Sequence, residues 1–195
     1  MPPLPRKQRR VKALADRKQQ KKTRIGPNAE ESAWMAGLLP PAGGRVLQVG
    51  GASAKSTEAL TTRGWRVVPL DTAEVLADAG FTGDRIDAVT CWLLDVAKAK
   101  PEALTRLRAM GLRTPDEHRL AVQTLVYRLA DRVLRPGGVL QVVDRMSEPL
   151  GEALAAGILR VQRAQSKGTS LEFLSLDAHP VDAGALVSVR SRKAP

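Results

Sequence analysis

Four short apolar runs set the limits on what this chain can fold into: "RVLQVG", "WRVVPLD", "RIDAVTCW" and "GGVLQVVD". They are rich in Val and Leu, carry little polar alternation, and end at glycine, aspartate or tryptophan. Such runs suit strands covered on both faces rather than strands with a wet side. Between the first two lies "SAKSTEALTTRG", a helix beginning near Ser53 and closed by Gly64. "TAEVLADAG" follows the second run, with Gly80 as its cap. "TPDEHRLAVQTLVYRLADRVL" precedes the last, with Pro115 at its start and acids in its first turn. Strands separated by helices and joined by short turns predict an α/β, doubly wound, mostly parallel sheet with helices on both faces.

The flanks extend this core. In "GPNAEESAWMAGLLP" Asn28 is the expected cap, Glu30 and Glu31 occupy the first turn, and Pro40-Pro41 end the helix. After Asp144 the pattern changes. "SEPLGEALAAG" reads as a helix, and "ILRVQRAQS", "SLEFLSLD" and "GALVSVRSR" read as strands. The last two are expected to form an antiparallel hairpin at the C-terminal edge of the sheet. Only "FTGD" separates the second helix from the third run.

A chain of 195 residues with 43% apolar and 3% aromatic residues suits one domain whose core is Leu, Val and Ala. No apolar run is long enough to span a bilayer. One cysteine excludes an internal disulfide framework or a multi-cysteine zinc site, and no metal site is expected. A cytoplasmic protein is the expectation.

The net charge of +11 is unevenly placed. Residues 1–25 hold ten basic residues (Arg6, Lys7, Arg9, Arg10, Lys12, Arg17, Lys18, Lys21, Lys22 and Arg24) against Asp16 alone, a net +9. Residues 26–189 hold 18 basic and 19 acidic residues. The chain therefore divides into a basic tail, 1–25, too polar to bury a core and expected to be disordered, and a folded domain, 26–195. The tail reads either as an arm for RNA, the ribosome or another polyanion, working through counterion release, or as a solubilising segment without a dedicated partner. It lacks the interleaved aromatics that stack on bases.

The turn after the first run, "VLQVGGASAKST", is placed where nucleotide cofactors are commonly held. A phosphate loop would need glycine at Val49 and Ala54, although Lys55-Ser56 keep that motif's end. A dinucleotide loop would need its third glycine where Lys55 or Ser56 stands. The turn resembles instead the "VLD-x-G-x-G-x-G-x-x-S" segment of class I S-adenosylmethionine-dependent methyltransferases. Asp71, ending the second run, matches that family's ribose-binding acid. "LADRVLRPGGVLQVVDR" resembles its "L-x-P-G-G-x-L" turn, and "RIDAVTCW" its fourth strand. The resemblance covers Asn28 to Arg190 and implies a Rossmann-like domain using S-adenosylmethionine. It implies cofactor contacts from Gln48, Gly50, Gly51, Ala52, Leu70 and Asp71. The chain departs from the family pattern at Gln48, where an acid is usual, and at Ala52 and Ala54, where glycines are usual. Against the family pattern the sheet is expected to be a strand short before the third run, and Asp84 is the nearest candidate for the family's adenine-contacting acid.

No side chain stands out as catalytic. Cys91 at a strand end suits a thiolate nucleophile for pyrimidine C5 methylation, or a small buried apolar group. Asp95 suits a base, or a helix cap before "VAKAKPEAL". Trp92 and Tyr127 read as core residues, and His118 as a solvated polar residue. His179 has no partner for a metal site. Methyl transfer from a sulfonium needs chiefly alignment of acceptor and methyl. The resemblance therefore implies a methyltransferase, and the basic tail makes RNA or another polyanion the expected substrate. The competing expectation, which the altered loop favours, is a methyltransferase-like fold that has lost catalysis and binds nucleic acid or the ribosome.

Overall fold

The structure, a computed structural model, describes residues 26–41, 43–50, 53–77, 85–95, 99–182 and 184–195. The basic tail, Gly51, Ala52, Gly80 and Asp84 lie outside the described residues. The elements in chain order are α1 (Ala29–Gly37), β1 (Arg45–Val49), α2 (Ala54–Thr62), β2 (Arg66–Leu70), α3 (Thr72–Leu76) and β3 (Ile86–Trp92). There follow α4 (Pro101–Ala109), α5 (Pro115–Val133), β4 (Leu134–Met146), α6 (Glu152–Gln165), β5 (Leu171–Val181) and β6 (Gly184–Lys193).

Among the described residues six strands form one sheet in the order β2-β1-β3-β4-β6-β5. The first four are parallel, β6 runs antiparallel to β4, and β5 pairs antiparallel with β6 at the edge. This is the doubly wound sheet with a C-terminal hairpin that the runs predict. Local chemistry sets the helix starts. Asn28, Asp71 and Thr114 each form reciprocal capping boxes with Glu31, Glu74 and Glu117, and Ser53 caps α2.

One element differs from its expectation. "ILRVQRAQ" is not a strand but the second half of α6. The alternation Leu159-Arg160-Val161-Gln162 mimics a strand, yet Leu154, Gly157, Ile158 and Val161 recur at helical spacing, and Gly157 does not end the helix.

The core divides by sheet face. On one side α1 and α2 cover Val46, Ala88, Val139 and Val143. On the other, α5 covers Leu47, Val89, Leu140 and Val142, joined by Val75 of α3 and Leu107 of α4. Buried Gln141 ties the first face together: its Oε1 accepts from Trp92 Nε1 at 2.9 Å, and its Nε2 donates to Met35 O and Ser188 Oγ, both at 3.1 Å. Trp92 is thus a core residue whose indole N–H is satisfied.

The "RPGG" turn lies inside β4. Leu134 pairs with Ile86, the ladder breaks, and pairing resumes at Val139 opposite Ala88. Gly137 has φ +76°, and a side chain on Gly138 would meet Arg135 O at 2.9 Å and Asp87 O at 3.2 Å. The two glycines make the bulge possible.

Candidate cofactor and substrate sites

The parallel strands bring Gln48, Gly50, Leu70 and Asp71 together at the carboxyl ends of β1 and β2. Gln48 pairs with Pro69 in register, and Gly50 N donates to Leu70 O at 3.0 Å. Gly50 has φ +71°, the left-handed conformation that glycine adopts without penalty and that lets the chain leave β1 sharply. Gln48 is buried; its Nε2 donates to Ser56 Oγ at 3.0 Å, and its Oε1 has no hydrogen-bond partner among the described residues. A carboxylate here, as the family pattern has it, would be an uncompensated buried charge unless a ligand bound it. The amide carries a smaller penalty.

Asp71 does three things at once. Its Oδ1 accepts from Glu74 N at 2.9 Å and caps α3, its Oδ2 pairs with Lys100 Nζ at 2.5 Å, and it keeps a partly exposed face. The Lys100 ammonium, with the Glu74 amide second, holds its carboxyl below the usual range, so it is ionised at neutral pH. A carboxylate offers about four acceptor positions; Lys100 and the Glu74 and Ala73 amides draw on them here, and the partly exposed face leaves room for a further donor.

Two residues at this site carry no sequence signal. Leu93 has φ +50°, the one left-handed non-glycine among the described residues, and its N–H donates to Val143 O at 2.8 Å. The next residue, Leu94, lies against Gly50, so a side chain on Gly50 would run into Leu94 Cδ1. Valine at Gly50 would therefore disturb the protein's own packing and not only a ligand's approach path.

The other candidates sit apart. Cys91 is a free, fully buried thiol in the middle of the sheet, and burial with the nearby Asp144 carboxylate pushes it far above the usual thiol range. It stays protonated and behaves as a small apolar group. Asp95 is half-buried beyond β3, and α4 is capped at Lys100 rather than at Asp95. His118 is buried, not solvated, with Nε2 3.1 Å from Leu112 O. His179 stacks on Trp34 with ring centroids 5.2 Å apart. Tyr127 is buried and bonded to Ser191, and burial raises its phenol. Among the described residues no group of three His, Cys, Asp or Glu side chains could hold a metal, and no helix is long and apolar enough to cross a membrane.

A cavity of about 490 Å³ opens on the α5 face, between α5, α6 and strands β4 and β6. Its walls include Leu120, Val142, Ile158 and Val189, and its polar lining includes Arg119, Gln123 and Asp144. Gln123 Nε2 donates to Asp144 Oδ2 at 2.8 Å and Gln165 Nε2 to Gln123 Oε1 at 3.3 Å. A smaller cavity of about 270 Å³ separates α3 from α5.

No protein-family model matches the chain, and no curated protein does. Solved structures do. The chain superposes over its whole length on 93% of the Burkholderia thailandensis 1,6-didemethyltoxoflavin-N1-methyltransferase, at TM-score 0.54 and 14% identity. That enzyme was crystallised with 1,6-didemethyltoxoflavin and S-adenosylhomocysteine. The N-methyltransferase NodS from Bradyrhizobium japonicum WM9 matches at TM-score 0.50 and 14% identity, over 85% of this chain and 96% of that one. The fold is that of the class I methyltransferases.

Proposed function

We propose that this protein is an S-adenosylmethionine-dependent methyltransferase. The observation that carries the reading is the pairing of a left-handed Gly50 turn after β1 with the ionised, partly exposed Asp71 after β2, in a class I methyltransferase fold. Asp71 would hold the ribose hydroxyls, and the backbone at Gly50 would approach the methionine end. The cofactor supplies an electrophilic methyl on a sulfonium. The protein's part is to align the acceptor, and none of its side chains is assigned as a base.

The acceptor we propose is RNA or another polyanion, held by the basic residues of 1–25. A cytoplasmic location accords with this. Ten basic residues in a polar segment would contact phosphates one by one. If half engage, log affinity for RNA should fall with log salt with a slope of about −3.5 to −4.5. Deleting 1–25 should flatten that slope and leave cofactor affinity unchanged, because the body is near neutral. Equal slopes with and without the tail would remove it as an arm.

A second reading, a non-catalytic module of the same fold, is favoured by the way Leu94 crowds Gly50 and Lys100 engages Asp71. Calorimetry with S-adenosylhomocysteine separates the two. The first reading expects one-to-one binding that Asp71→Ala weakens, and the second expects no heat with either protein.

A further inference from the structure

The cavity between α5 and α6 has no part in the methyl-donor site, since none of Gln48, Gly50, Leu70 or Asp71 lines it. Its size is the first notable fact. Interiors are close-packed, with few voids larger than a water molecule, and an apolar void of about 150 Å³ already takes up benzene. At about 490 Å³ this one falls in the range of small-molecule sites, roughly 300–1,000 Å³.

The second fact is where the space comes from. No apolar side chain of α6 joins either core cluster among the described residues. The helix is held instead by amides: Gln162 Nε2 lies 3.4 Å from Ser191 Oγ, and Gln165 reaches Gln123. Its stripe of Leu154, Gly157, Ile158 and Val161 faces Val142, Val187 and Val189 of the sheet across the open space. Leu120 of α5 and Val161 of α6, each 41% exposed, stand on its two helical walls.

The third fact is the polar end. Asp144 is satisfied by Gln123 at 2.8 Å and has Arg119 Nη1 at 3.9 Å. Arg119 Nε is buried and has no hydrogen-bond partner among the described residues. A buried donor without an acceptor is costly, so the missing partner is an acceptor. Arg119 Nη2 pairs with Asp116 Oδ1 at 3.2 Å, so Nε is the atom of this guanidinium left for a ligand, and Arg160 also lies in the lining.

We propose that this cavity binds a compact amphipathic carboxylic acid, its apolar body between α6 and the β4–β6 sheet and its carboxylate on Arg119. The inference is independent of methyl transfer, and its test uses no methyl donor. Decanoate and 1-decanol are titrated into the full-length protein by calorimetry; they share a body and differ in the head group. Decanoate should bind one-to-one and more tightly than decanol. Gly157→Leu adds a side chain where a Cβ meets nothing within 4 Å, so it should fill the cavity without strain and weaken both probes by tenfold or more. Arg119→Gln should weaken decanoate by about tenfold and leave decanol unchanged. If Arg119→Gln misfolds, Arg119→Lys, which keeps the charge but lacks Nε, should lose part of the preference for decanoate. Absence of decanoate binding to the wild type overturns the proposal. So does binding that survives Gly157→Leu, or equal losses of the two probes in the Arg119 variants.

Discussion

The turn after β1 and the cavity under α6 stand at similar heights on the sheet, two strand spacings apart. Val49 pairs with Cys91 and Cys91 with Val142, so the separation is about 10 Å. They differ in what fills them. At the β1 turn, where a motif predicts a ligand, Leu94 lies on Gly50 and Lys100 on Asp71. Under α6, where no motif exists, the space is open. A motif records what the backbone can do at a turn, whereas openness depends on side chains arriving from distant parts of the chain.

Breaking the packed side gives the largest effect. Gly50→Val should destabilise the fold by about 3–5 kcal/mol, combining left-handed strain at a β-branched residue with overpacking against Leu94. Urea unfolding measures it; a loss under about 1 kcal/mol would mean that the turn is looser than the contact with Leu94 indicates.

Leu94→Ala probes the same contact from the other side. Leu94 is 7% exposed, so truncation should cost about 2–3 kcal/mol. It should also uncover Gly50 and raise S-adenosylhomocysteine affinity. An affinity unchanged in the folded variant would show that Leu94 does not limit access.

Asp71→Ala should weaken cofactor binding by about 1.5–3 kcal/mol, the value of a hydrogen bond to a charged group, and cost stability through the lost α3 cap. Calorimetry and thermal unfolding on one preparation separate the two. Full affinity in a folded Asp71→Ala protein would take Asp71 out of the site.

The smallest effect concerns pH. Asp71 has a lowered folded-state pKa, set first by Lys100 and then by the Glu74 amide. Its contribution is therefore present above the unfolded value near 3.8 and lost as pH falls through the folded value. Between pH 5 and pH 3 the wild type should lose slightly more stability than Lys100→Met. Identical pH profiles would show that the pair contributes nothing in solution, as many exposed pairs do.

Much of the fold was legible because its signals are local. Asn28 and Pro115 mark helix starts through contacts within a few residues, and "RPGG" marks where the long helix gives way to the strand. The misread second half of α6 shows the limit. Its Leu159-Arg160-Val161-Gln162 alternates as a strand does, while Leu154, Ile158 and Val161 keep helical spacing, and only packing selects the helix. His118 shows it again, since its burial against Leu112 O depends on how α4 and α5 meet.

What the sequence by itself determined is the order of strands and helices as far as β4, the C-terminal hairpin, the helix start at Asn28, the glycine turn after β1 and the charge asymmetry between tail and body. These follow from backbone sterics, hydrophobic period and composition, which act over short distances along the chain. Only the tertiary structure decided that Leu94 and Lys100 crowd the β1–β2 end, that Cys91 is sealed in the sheet, and that α6 leaves a cavity beside Arg119. Each depends on side-chain volume meeting side-chain volume between residues far apart in sequence, a quantity that no local pattern encodes.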